Sequence, residues 1–113
     1  MSPLNDRIGS IITFVRPVCD YWQFGIGTST LSVLVPFSIT RHGKSVDPLD
    51  IHLLTVEGVD ESADSVSIQL SRETRFEIDI RDDVRAGPEA MILHFPHRPD
   101  FECPGRIDGC YIW

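Results

Sequence analysis

The sequence predicts a mainly β (β-rich α+β) fold: two tandem antiparallel β-meander or hairpin units, packed as a sandwich or partial barrel, with one short helix between them. Three observations lead there. Trp22, Phe24 and Ile26 alternate with the polar Gln23 and the small Gly25, and after the turn residues 27–30 Leu31, Val33, Val35 and Phe37 take up an alternation again. The pattern returns with Val66, Ile68 and Leu70, a polar turn at 71–74, then Phe76, Ile78 and Ile80. A period of two puts every second residue on one face, so each run reads as a half-buried strand and each pair as a hairpin. The two hairpins also keep register. Adding 44 carries Trp22, Phe24 and Ile26 onto Val66, Ile68 and Leu70, and adding 45 carries Leu31, Val33 and Val35 onto Phe76, Ile78 and Ile80.

In chain order, residues 8–15 and 54–59 read as equivalent lead-in strands, which makes each unit a three-stranded meander over 8–37 and 52–80. Pro36 stands near the end of its run, where a missing N–H is tolerated. Residues 40–46 read as a polar loop between the units. Asp47 suits a helix N-cap and Pro48 the first helical position, so a helix of two turns is expected, with Leu49, Leu53 and Leu54 facing the core. Residues 81–88 read as a turn region and 89–95 as a strand buried on both faces. Pro96, Pro99 and Pro104 hold the following chain as a loop. Tyr111 and Ile112 are expected to pair as a short last strand, with Trp113 packed.

At 113 residues the chain suits one domain with one core. Such a chain buries roughly two-thirds of its unfolded surface and needs neither disulfide nor metal to fold, so no cofactor is expected. No apolar run approaches the ~20 residues of a membrane span, and the N-terminal stretch has no signal-like apolar region. Cysteine is present three times, an odd number that argues against a disulfide framework and for the cytoplasm. The net charge of −7 is unevenly placed. Residues 1–56 hold four acids and four bases, whereas 57–113 hold thirteen acids and six arginines. That disfavours nucleic acid, which needs a basic surface, and suits a basic protein. The candidate partner-binding residues are Glu57, Asp60, Glu61, Asp64, Asp82 and Asp83.

Four residues near the C-terminus could carry metal chemistry. His94, His97, Cys103 and Cys110 supply two imidazoles and two thiols, the donor types of a tetrahedral zinc site, although the spacing lacks a tight cysteine knuckle. A disulfide between Cys103 and Cys110, or a cysteine–histidine nucleophile, are alternatives that no motif singles out. The abundant carboxylates offer acid–base chemistry without a placement signal. Gly25 and Gly27 precede a turn and not a helix, so they form no dinucleotide fingerprint. Tyr21, Trp22 and Phe24 lack the basic neighbours of a base-stacking platform and read as core. The expectation is a non-enzymatic protein.

Taken in order, Asp20–Phe24, Pro36-Phe37, Val46-Asp47-Pro48, Glu89-Ala90, Pro104-Gly105 and the closing Trp113 resemble a group of small uncharacterised bacterial β-rich proteins, some of them similar to immunity proteins of polymorphic toxin systems. The chain departs from that group at Arg106, where a glycine is usual, and at Met91, near which a tryptophan is usual. The resemblance implies a toxin-like basic partner and brings no catalytic residues. The alternatives are a small metal-binding or hydrolytic protein using residues 94–110, and a homodimer or larger homo-oligomer pairing through hairpin edges.

Overall fold

The computed structural model describes residues 3–81, 90–96 and 108–113. The expected turn region after Arg81, the loop around Pro99 and Pro104, and the candidates Asp82, Asp83, His97 and Cys103 lie outside them. Among the described residues the fold is mainly β. Its strands are β1 (Ile12–Val18), β2 (Tyr21–Ile26), β3 (Ser29–Val33), β4 (Phe37–Arg41), β5 (Lys44–Ser45), β6 (Val56–Glu61), β7 (Ser65–Leu70), β8 (Thr74–Asp79), β9 (Met91–Pro96) and β10 (Asp108–Ile112). They form two five-stranded antiparallel sheets, ordered β1-β2-β3-β9-β10 and β5-β4-β8-β7-β6, which pack together around one apolar cluster.

Each sheet is a three-stranded meander completed by a hairpin from the other half of the chain. β4 leaves the first meander and pairs with β8, while β9 leaves the second and pairs with β3. The expected single strand over 31–37 is therefore two. β3 ends at Val33, residues 34–36 cross between the sheets, and β4 begins at Phe37. Pro36 sits on that crossing, where its missing N–H costs nothing and its carbonyl accepts from Asp79 N at 3.1 Å. The polar loop expected over 40–46 is the β4–β5 hairpin, turning at His42 and Gly43, both with positive φ.

The ladders of the two meanders repeat residue by residue. Ile12 pairs with Ile26 and Val56 with Leu70, each pair shifted by 44 from the other, and both ladders carry an irregularity just after that first pair. The second meander has one more turn residue, between Leu70 and Thr74, which changes the shift to 45. Ile11 bridges Thr55, its own counterpart 44 residues on, so the local symmetry axis runs between them. The surrounding bonds obey it: Ile12 N donates to Leu54 O and Val56 N to Ser10 O, both at 2.8 Å.

Residues at symmetric positions are not alike, and their differences interlock. Phe24 stands opposite Leu31, whereas Ile68 stands opposite Phe76, so the aromatic ring comes from different strands in the two sheets. The rings of Phe24 and Phe76 meet at the centre, 4.7 Å apart, and Phe37 packs edge-on against both. Losing either central phenylalanine to alanine costs about 3–5 kcal/mol by the usual cavity rule. Gly25 lies under the Phe14 ring, while its counterpart Gln69 lies beside Gly58, so each meander pairs one large residue with one glycine.

The expected two-turn helix is a single 3-10 turn, Pro48–Ile51, which Asp47 caps by accepting from Leu49 N at 2.9 Å. Ile51 at its end and Leu54 just beyond it are buried in the core. Leu49 and Leu53 are 54% and 63% exposed, so neither faces the core as expected. Leu53 occupies the left-handed position (φ 73°) that Gly9 fills in the first half (φ 96°), and that backbone geometry turns its side chain outward. A left-handed leucine costs about 1 kcal/mol. β9 alternates Met91 and Leu93 inward with His94 outward, so it is not apolar on both faces. Trp113 extends the β9–β10 ladder, donating from N to Met91 O at 3.0 Å, and packs half-buried against the core.

A β-carbon on Gly25 would run into Thr13 Oγ1 and the Phe14 ring, whereas on Gly58 it would reach Gln69 at an ordinary 3.6 Å. Gly25→Ala is expected to lower stability by about 1–3 kcal/mol in denaturant unfolding, and by much less in a Thr13→Ala/Phe14→Ala background, which removes both clashing groups. Gly58→Ala should be close to neutral. Equal losses at the two glycines would contradict this packing.

Candidate functional site

Four of the six candidate partner-binding residues lie along one border of the second sheet. Glu57, Asp60 and Glu61 sit on the edge strand β6, and Asp64 follows in the turn to β7; all four are exposed. The symmetric edge of the first sheet supplies an internal control. A shift of 44 matches Thr13 to Glu57, Arg16 to Asp60, Pro17 to Glu61 and Asp20 to Asp64. Equivalent backbone thus carries a near-neutral edge on β1 and an acidic one on β6. Arg16 is engaged, donating from Nε to Gln23 Oε1 at 2.9 Å and stacking 5.0 Å from the Phe14 ring centre. Glu57 and Asp60 meet no cation among the described residues.

Glu61 differs from its neighbours, because Trp113 Nε1 donates to its Oε1 at 3.0 Å. That bond ties the end of β10 in one sheet to the end of β6 in the other. Sequence reasoning placed Glu61 among the open acids, and nothing in local spacing signals a bond across 52 residues. Charged side chains on an edge strand also protect it from pairing with other chains.

Asp64 stands at the corner between this edge and a second acidic area on the outer face of β8. There Asp79 is held in a two-pronged bond by Arg81, with Nε to Oδ1 at 2.9 Å and Nη2 to Oδ2 at 2.7 Å. The side-chain and backbone donors of Arg81 hold the Asp79 carboxyl below the usual aspartate range. Glu77 meets Arg75 at 3.5 Å, with both about half exposed, a geometry worth little to stability.

The metal candidates are divided. His94 on β9 and Cys110 on β10 are direct cross-strand partners, and both are exposed. Cross-strand neighbours share a face, so the fold brings one imidazole and one thiol together on the outer side of the first sheet. No cluster of three metal-ligating side chains occurs among the described residues. Cys19, in the β1–β2 turn, and Cys110 are free thiols. No helix among the described residues is long and apolar enough to cross a membrane. Trp22 and Phe24, read as core, do pack there, Phe24 fully and Trp22 at the rim.

The chain matches no family model, no curated protein and no solved structure.

A depressed carboxylate pKa favours the folded state above the unfolded pKa, and that contribution disappears as pH falls through the folded value. Followed by carbon-detected NMR, the Asp79 carboxyl should titrate below an ordinary aspartate. In Arg81→Ala its midpoint should rise toward the ordinary value. An unchanged midpoint in that variant would show that the Arg81 side chain is not the cause.

Proposed function

We propose that the protein is a non-enzymatic binding module, cytoplasmic in setting, whose acidic β6 edge receives a basic protein partner. One observation carries this reading. Two strands with the same ladder and the same place in their sheets differ in charge, and the acids Glu57 and Asp60 stand on the second without compensating cations among the described residues. Like charges gathered on one border repel one another, and a basic surface laid against them relieves that repulsion and speeds encounter. The resemblance to immunity-like proteins agrees with a toxin-like partner. A phosphate backbone would be repelled by the same border.

Capture from the source organism tests the reading. Wild-type protein should retain a basic protein, identified by mass spectrometry, and retention should weaken steeply as salt shortens the screening length below about 8 Å. Glu57→Lys/Asp60→Lys should lose that protein while keeping the native spectrum. These two positions leave the Glu61–Trp113 bond intact. Equal retention by the variant, or capture of acidic proteins only, would overturn the assignment.

A further inference from the structure

The strand exchange creates a concave surface that borders Asp64. Where residues 34–36 cross between the sheets, two hollows meet at Pro36 and Phe37. One, of about 430 Å³, opens on the outer face of the second sheet and is bordered by Asp64, Glu77, Asp79 and Arg81. The other, of about 380 Å³, opens at the end of the first sheet and is bordered by Asp20, Tyr21, Trp22 and Leu34. The two differ in chemistry.

In the first hollow three carboxylates stand against one guanidinium. Arg81 is already spread across both oxygens of Asp79, so its charge is largely answered by that pair. Asp64 meets no cation among the described residues, and Glu77 has only its loose contact with Arg75. The second hollow has an aromatic wall. Trp22 and Tyr21 are half-buried, Trp22 packs edge-on against Phe37 with ring centres 6.4 Å apart, and Leu34 is 37% exposed. Asp20 stands at its mouth, also without a cation among the described residues. Half-buried tryptophan and tyrosine beside an apolar hollow are the residues that dominate binding energy at protein interfaces.

We propose that the two hollows together seat an extended segment of a basic protein partner. An arginine or lysine enters the Asp64–Glu77 hollow, and an adjacent apolar side chain lies against Trp22, Tyr21 and Leu34. Charge complementarity selects this occupant. A second copy of the chain would bring its own net charge of −7 to a surface that is already acidic, and a phosphate-bearing ligand would meet carboxylates on both sides. Each hollow has room for a side chain or two, not for a folded element. A cation near the Trp22 ring would gain a further attraction to its face. The proposal rests on the basic-partner reading but assigns the anchoring contacts to residues other than Glu57, Asp60 and Glu61, sharing only Asp64 with the acidic border.

The test uses the full-length ¹⁵N-labelled protein and two blocked pentapeptides, Ala-Arg-Leu-Arg-Ala and the same peptide with glutamate for both arginines. The arginine peptide should give saturable shifts at the Trp22 indole and at the amides of Leu34, Asp64 and Glu77. The glutamate peptide should bind at least about tenfold more weakly. Asp20→Asn/Glu77→Gln, which removes charge without touching the core, should weaken the arginine peptide by about fivefold or more. Glu57→Lys/Asp60→Lys should leave it within about twofold. No saturation by about 10 mM, a response confined to β6, or equal binding of both peptides would overturn the groove. If the groove fails while partner capture still depends on Glu57 and Asp60, only this inference falls. If capture and peptide both ignore charge, the basic-partner reading falls with it.

Discussion

β3 and β8 each need a second hydrogen-bonded neighbour, and neither receives it from its own meander. The edge of β3 is satisfied by β9, and the edge of β8 by β4. An unpaired row of backbone N–H and C=O groups in the middle of a sheet is both costly and prone to pair elsewhere, so the exchange determines whether either sheet is complete. It also places the core. Phe37 enters the second sheet at the start of β4 and closes the ring cluster of Phe24 and Phe76, while Met91 and Leu93 do the equivalent work from β9. A closed hydrogen-bonded strip around Ile11 and Thr55 then holds the two lead-in segments together on the symmetry axis.

Most of the strand content was legible in the sequence, because a period of two with one buried face leaves a direct trace. The 44- and 45-residue shifts were legible too, and they reappear as ladder registers down to the position of the irregularity after Ile12 and Val56. What stayed hidden is where the strands go. Val33, Val35 and Phe37 keep one alternation, yet the chain changes sheets between them, and the only local sign is Pro36. The β4–β5 hairpin was hidden because its outer strand, β5, is two exposed polar edge residues, Lys44 and Ser45, too short and with no buried face to reveal a period. Leu49 and Leu53 misled for a different reason. Their spacing suits a helix, but a chain that makes one 3-10 turn and then a left-handed residue points them outward.

The candidate site was legible as composition and not as shape. The excess of acid in the second half was plain, and Glu57, Asp60 and Asp64 do lie together on one border. The role of Glu61 as acceptor for Trp113, and the meeting of Asp64 with the Pro36–Phe37 crossing, depend on contacts between distant segments. Symmetry gives the acidic border its meaning, since Arg16 and Asp60 hold the same ladder position in two otherwise matched sheets. Two meanders of matched register therefore present surfaces of different character. The exchange that completes their sheets also forms the two hollows that meet at Pro36 and Phe37.

Because each sheet is completed by the other's strand, the two sheets should stand or fall together. Ile39, 4% exposed on β4, belongs to the first half of the chain but packs in the second sheet. Ile39→Ala should cost about 2–4 kcal/mol, and native-state hydrogen exchange should show that loss equally in the slowest amides of β1–β3 and β6–β8. If protection fell in β6–β8 while β1–β3 kept theirs, the sheets would be independent units, and their mutual dependence through the exchanged strands would be contradicted.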